Sequence, residues 1–293
     1  MSGAVATSID AGLVAALIRE QAPHWTTLPV RAVADGGWSN RTFRLGHDLV
    51  VRLPSAERYV AQVEKERRWL PRLAPLLPLP IPAPLFAGRP GHGYPWPWGV
   101  YGWIAGAPPS DAATRTDVAL ARDLAAFLRA LHGLAPANGP PAGVHNFHRG
   151  GDLRVYDEEA RAAFAALTAP QAAVANLVWK EALASSWSGP PAWLHGDVSS
   201  GNLILRDGHL AAVIDFGNMA VGDPACDLVA AWTLFDGGAR ETFAAALPHD
   251  THTWSRAQGW ALWKAAITVA GHDPNRKNRA VAERVLAELL SGA

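Results

Sequence analysis

The spacing of apolar positions changes rhythm along the chain. Residues 9–23 carry Leu13, Ala16 and Leu17 at helical intervals, which predicts a short amphipathic helix. Short strand-like runs follow at 30–34, 41–45 and 49–53. Asp35-Gly36-Gly37 separates the first two and Gly46-His47-Asp48 turns the second into the third. A charged segment, 56–73, then sets Val60, Val63, Trp69 and Leu73 on one helical face, and 85–88 and 100–104 read as two further strands. The first hundred residues thus predict a small, mostly antiparallel sheet carrying one principal helix. The Pro-rich stretch 71–97 is too interrupted for helix and too apolar for a free linker, so a packed, rigid connection is expected.

After Gly106-Ala107-Pro108-Pro109 the helical period dominates. Helices are predicted at 111–132, 153–167 and 170–187, with two short strands at 203–205 and 210–214. Helices resume near Ala225, and 254–270 is apolar nearly all round, the mark of a helix buried in a large core. The pattern predicts an α+β protein of two lobes. The small sheet lobe is placed at residues 1–104 and the larger, mainly helical lobe at 105–293.

Composition narrows the class. The 293 residues suffice for one large or two medium domains. Lys plus Arg and Asp plus Glu balance at 26 each, so net charge suggests neither nucleic acid nor an anionic membrane as partner. Cys226 is the sole cysteine, which excludes an internal disulfide framework and fits a reducing cytosol. The first residues lack a basic region and Asp10 interrupts their apolar run, so no secretory signal is expected, and no apolar run is long enough for a transmembrane helix. The expected location is cytoplasmic.

The chemistry concentrates in two segments. His195-Gly196-Asp197-Val198-Ser199-Ser200-Gly201-Asn202 precedes one strand-like run, and Val213-Ile214-Asp215-Phe216-Gly217 ends the other. Phosphoryl transfer from a magnesium-bound nucleotide needs one carboxylate to orient the attacking hydroxyl, and an amide and a second carboxylate to hold the metal. Asp197, Asn202 and Asp215 supply that set. Either turn alone reads as an ordinary Asx or Gly turn; the two in this order point to function.

With Gly222-Asp223-Pro224 and Asp227-Leu228 added, the series resembles the aminoglycoside phosphotransferase family, a small-molecule branch of the protein-kinase-like fold that also includes macrolide and other metabolite kinases. The likeness spans nearly the whole chain. It implies Asp197 as the catalytic residue, Asn202 and Asp215 as Mg²⁺ ligands, and ATP or GTP as phosphoryl donor. It also implies that the first lobe holds the nucleotide, with Gly36, Gly37, Ser39 and Asn40 in a phosphate loop. That loop carries neither Gly-x-Gly-x-x-Gly nor a Walker A pattern and would by itself read as a hairpin.

Where kinase-like folds usually carry a lysine on the third strand, this chain has Arg52, whose fork can bind phosphate but with a different geometry. Its expected partner is Glu66, with Glu64 as alternative. Adenine is expected against the segment holding Val100, Tyr101 and Trp103. Asp223, Asp227 and His195 read as supports of the loops. His145/His148 and His249/His252 have pairwise metal spacing without a third ligand, which argues against zinc.

The resemblance makes an aminoglycoside the leading acceptor, and Asp152, Asp157, Glu158, Glu159, Asp236 and Glu241 are the acids available for a polycation. Trp232, Trp260 and Trp263 could instead line a cleft for a macrolide or another less charged metabolite. A nucleotide-binding pseudokinase scaffold is the rival of a different class, supported only by the arginine at position 52.

Overall fold

The computed structural model describes residues 8–33, 39–272 and 276–291. The chain divides into two compact units: residues up to Gly106 together with Ala212–Gly217, and Ala107–Ala211 together with the residues from Asn218 onward.

In the first unit, α1 (Ala11–Gln21) starts where the Asp10 carboxylate accepts the N–H of Leu13, an N-cap that fixes the helix entry. It is followed by β1 (Val30–Ala32), β2 (Asn40–Leu45), β3 (Leu49–Pro54), α2 (Val60–Leu73), β4 (Pro84–Gly88) and β5 (Trp98–Gly102). The strands form one antiparallel sheet in the order β1-β2-β3-β5-β4. Leu13, Val14, Leu17 and Ile18 of α1 share a buried cluster with Phe43, Leu45, Val51, Leu53, Trp98 and Val100, so α1 closes one core of this unit. Each such side chain contributes about 2 kcal/mol through burial.

Three details differ from the sequence pattern. The sheet packs against α1 as well as carrying α2. β5 begins at Trp98, two residues before the predicted strand. Helix α2 begins at Val60, after a 3₁₀ turn at Glu57–Tyr59, and not at residue 56, while its end at Leu73, beyond Pro71, is as the pattern predicts. The Pro-rich connection after it is pinned: Gln21 bonds the main chain of Arg89 with both ends of its amide, at 2.7 and 3.0 Å, and Trp98 Nε1 donates to Arg89 O.

The second unit contains α3 (Asp111–Thr114), α4 (Val118–His132), α5 (Asp157–Phe164), α6 (Ala169–Leu183), β6 (Ala192–Leu194), β7 (Leu203–Arg206), β8 (His209–Val213), β9 (Ala220–Gly222), α7 (Ala230–Thr233), α8 (Gly237–Ala245), α9 (Thr251–Ile267) and α10 (Arg276–Ser291). The final residues of β8 group with the first unit. The helix predicted over 111–132 is broken in two because the Asp117 side chain accepts the N–H of Leu120 and restarts the helix. Residues 153–156 form a 3₁₀ turn ahead of α5. Strands β6 and β9 pair antiparallel, and β7 and β8 form a hairpin. Its turn, Asp207-Gly208, has both residues at positive φ, as the favoured two-residue turn requires. Gly259 of α9 sits against α6, where a Cβ would lie 2.5 Å from the Cβ of Ala182. Among the described residues, no helix is long and apolar enough to cross a membrane.

Candidate active site

The charged network of the first unit centres on Arg52, which β3 presents opposite Gly99 of β5. Its Nη1 donates to both oxygens of Glu66, at 2.9 and 3.1 Å, and its Nη2 to Asp215 Oδ1 at 2.6 Å. The guanidinium side chain is 13% exposed and the Glu66 side chain 4%. Burial works to lower the Arg52 pKa, but the charges of Glu66 and Asp215 outweigh it and raise it, so the guanidinium stays charged. Glu64, the other helical acid, pairs with Arg67 on the surface. Asp215 holds a left-handed backbone conformation, φ 62°, uncommon for a residue other than glycine.

Tyr101 also belongs to this group, its hydroxyl donating to Glu66 Oε2 at 2.7 Å. Burial first, and then the charge of Glu66, push the phenol well above its ordinary pKa and keep it a neutral donor. Val100 and Tyr101 lie in a strand paired on both edges, to β3 and to β4, and both side chains are buried. Trp103 N donates to Asp48 O at 2.8 Å, and the guanidinium of Arg44 sits 3.9 Å from the indole centroid. Ser39 and Asn40 lie at the start of β2, where Asn40 Nδ2 donates to Ser39 Oγ and Ser39 O accepts the N–H of Ser55 at 2.9 Å. Gly36 and Gly37 lie outside the described residues.

The second unit builds the loop that carries Asp197. His195 is fully buried and its Nδ1 accepts the N–H of Asp197 at 3.2 Å. Gly196 has φ +82°, and a Cβ there would lie 2.5 Å from Asn218 O, so only glycine fits the bend. Asp227 is fully buried behind it and accepts the N–H groups of His195 and Gly196 at 2.8 and 2.7 Å, and His132 Nε2 at 3.1 Å. Asp197 itself remains exposed. Asn202 turns its Nδ2 to Asp197 O at 2.8 Å, and because that partner is a carbonyl, the amide oxygen Oδ1 is the end left for a ligand.

Asp223 has a different task. It caps the turn Pro224–Asp227 through the N–H of Ala225 and accepts from Arg256 Nε at 2.7 Å. Burial raises its pKa despite that arginine. His132, at the end of α4, was missed by sequence reading: nothing in the Leu131-His132-Gly133 sequence marks a histidine that will meet a carboxylate 95 residues away. Trp232, Trp260 and Trp263 are buried, at 7%, 1% and 4% exposure, and belong to the helical core, not to a cleft wall. Among the described residues, no group of three or more His, Cys, Asp or Glu forms a metal-ligating cluster.

The model of the phosphotransferase enzyme family, that of the aminoglycoside phosphotransferases, matches residues 30–264. The chain belongs to this family. Like its members it is a small-molecule phosphotransferase. Solved structures show the same protein-kinase-like fold of a sheet lobe and a helical lobe. The GDP complex of wild-type aminoglycoside 2'-phosphotransferase-IIIa matches with TM-score 0.74 and 21% identity, over 96% of this chain and 98% of that one. The GDP and kanamycin complex of APH(2")-IIia gives 0.71 and 18%, over 94% and 98%. The apoenzyme of macrolide 2'-phosphotransferase MphH from Brachybacterium faecium gives 0.62 and 22%, over 92% and 97%. A comparison with curated protein sequences returns no match.

Proposed function

We propose that this phosphotransferase moves the γ-phosphoryl group of ATP or GTP to a hydroxyl of a small molecule, with magnesium. The observation that carries the proposal is the bridge made by Arg52 to Glu66 and Asp215, at 2.9 and 2.6 Å. It sets a permanently charged fork between a buried carboxylate, Glu66, and a partly exposed one, Asp215, and a planar fork suits phosphate oxygens. Nucleotide binding is also supported by relatives of the same fold whose structures hold GDP, ADP or ATP.

In this reading Arg52 and the 36–40 segment hold the phosphates. Asp197, exposed at the tip of a loop clamped by Asp227, accepts the proton of the acceptor hydroxyl or aligns it for attack. The carboxylate of Asp215 and Oδ1 of Asn202 are oxygen donors, the set a hard cation prefers, and these two residues would hold magnesium. When bound, the ion supplies neutralisation of the phosphate charge. Because the transition state is loose, alignment and charge account for most of the acceleration.

An aminoglycoside is the leading acceptor, supported by relatives such as the kanamycin complex. A second reading, a macrolide or another weakly charged acceptor, is favoured by how the acids of the helical unit are paired. Asp152 pairs with Arg154 and Asp157 with Arg161, while Asp236 meets Arg115, Arg240 and Arg284. Glu159 accepts from Trp263 Nε1. The three aspartates paired with arginine in this way attract a polycation weakly, whereas Glu159, bonded to a neutral indole, keeps its charge. The test is a phosphotransfer screen with labelled ATP and GTP across aminoglycosides, macrolides and amino-alcohol metabolites, with and without a magnesium chelator. Label should pass to a hydroxyl of one class and stop on chelation. A protein that binds nucleotide but labels no acceptor would favour a scaffold instead.

A further inference from the structure

We propose that Tyr101 is a positioning residue for the phosphate-gripping arginine: it touches no nucleotide, but fixes Glu66 and through it the direction of the Arg52 fork. This rests on the nucleotide-binding reading above. Arg52 donates one arm of its fork to Glu66 and the other to Asp215. The arm on Glu66 keeps its direction only while the carboxylate keeps its rotamer. A helical glutamate held by a single partner can rotate about three side-chain bonds. The Tyr101 hydroxyl opposes that rotation by adding a second donor to Oε2, at 2.7 Å against 3.1 Å from Arg52 Nη1, from an element other than the one that carries Arg52.

The sheet is built to let Tyr101 do this. Arg52 pairs with Gly99 across the β3–β5 ladder, so Tyr101, two residues on, stands on the same face and diagonal to Arg52. Its ring leans over Gly99, where a Cβ would lie 2.8 Å from the ring edge and 3.2 Å from the hydroxyl. Any other residue at 99 would push the phenol off Glu66. The same ring lies 5.5 Å from the Arg52 guanidinium, within cation–π range. Lysine, a point charge with rotating donors, has no fork direction to preserve. Arginine has one, and the tyrosine preserves it.

The hypothesis makes the effect of Tyr101 conditional on Arg52. Calorimetric titration of the purified full chain with magnesium-ATP and magnesium-GTP should show Tyr101→Phe weakening nucleotide affinity about fivefold, less than the full worth of a hydrogen bond to a charged group because the effect reaches the nucleotide only through Glu66 and Arg52. The same change made in an Arg52→Met background, or in a Glu66→Gln background, should cost less than about twofold. Thermal midpoints of all variants identify any background that fails to fold, and the other background then decides. An unchanged affinity in Tyr101→Phe, or an equal loss in both backgrounds, overturns the role assigned to Tyr101 alone. A wild-type chain that binds neither nucleotide overturns the functional reading and this inference with it.

Discussion

Asp227 shows how one buried residue can fix a loop, here the one that carries Asp197. Its carboxylate accepts the main-chain N–H groups of His195 and Gly196 and the Nε2 of His132, all within 3.1 Å. Burial by itself would raise its pKa, but His132, the nearby His195 and the Gly196 N–H together hold it below the ordinary 3.8. A carboxylate with a depressed folded-state pKa contributes stability above its unfolded value and loses it as pH falls through the folded one. Asp227→Asn presents an amide to donors and is expected to lower the unfolding free energy by about 3 kcal/mol at neutral pH. That gap should narrow as pH is taken below 3.8, where the unfolded chain takes up the proton first, and close as the folded residue is protonated at its lower pKa. Urea titrations at several pH values measure both, and a small gap at neutral pH, or one that widens in acid, would contradict this role. The sequence placed Asp227 among the loop supports, but its partner His132 was beyond reach. The two meet only after α4 has packed beside the strand preceding His195, and no local pattern records that.

At the scale of elements, Gly259 opposes two effects of known sign. Alanine in a helix interior is better than glycine by about 1 kcal/mol. Here, however, a Cβ would stand 2.5 Å from Ala182 of α6, closer than real contacts allow. Overpacking of this kind costs about 1–3 kcal/mol, so Gly259→Ala is expected to destabilise despite the gain in propensity. A lower urea midpoint with an unchanged slope is the expected result; a higher midpoint would show that α6 and α9 part without penalty. The same competition between local and tertiary effects decides which elements the sequence reveals. Turn chemistry at Gly46 and the runs around Phe43 and Val51 marked β2 and β3. Strands β6 and β9 escaped because three residues each, Ala192-Trp193-Leu194 and Ala220-Val221-Gly222, carry no period and pair with each other over a long separation. The break before α4 lay within reach, since Asp117 stands three residues before Leu120 in an N-cap relation, but the continuous apolar pattern on either side masked it.

At the scale of the molecule, a chain without net charge folds into a sheet unit carrying the arginine frame and a helical unit carrying the Asp197 loop. The order of the motifs made the family legible, because each residue type is demanded by the chemistry of phosphoryl transfer and not by packing alone. The segment expected to meet the base was less legible. Its aromatic residues look alike in sequence, and only strand order shows that Val100 and Tyr101 face a ladder on each side. The central claim is that Asp197 acts on the acceptor hydroxyl and not on the nucleotide. It is tested most directly by comparing nucleotide affinity and phosphotransfer turnover in Asp197→Asn, using the acceptor identified by the screen. The account predicts nucleotide affinity within about twofold of wild type and turnover reduced by at least about a hundredfold, the lower range for a positioned acid–base group. Turnover retained at the wild-type rate would contradict it.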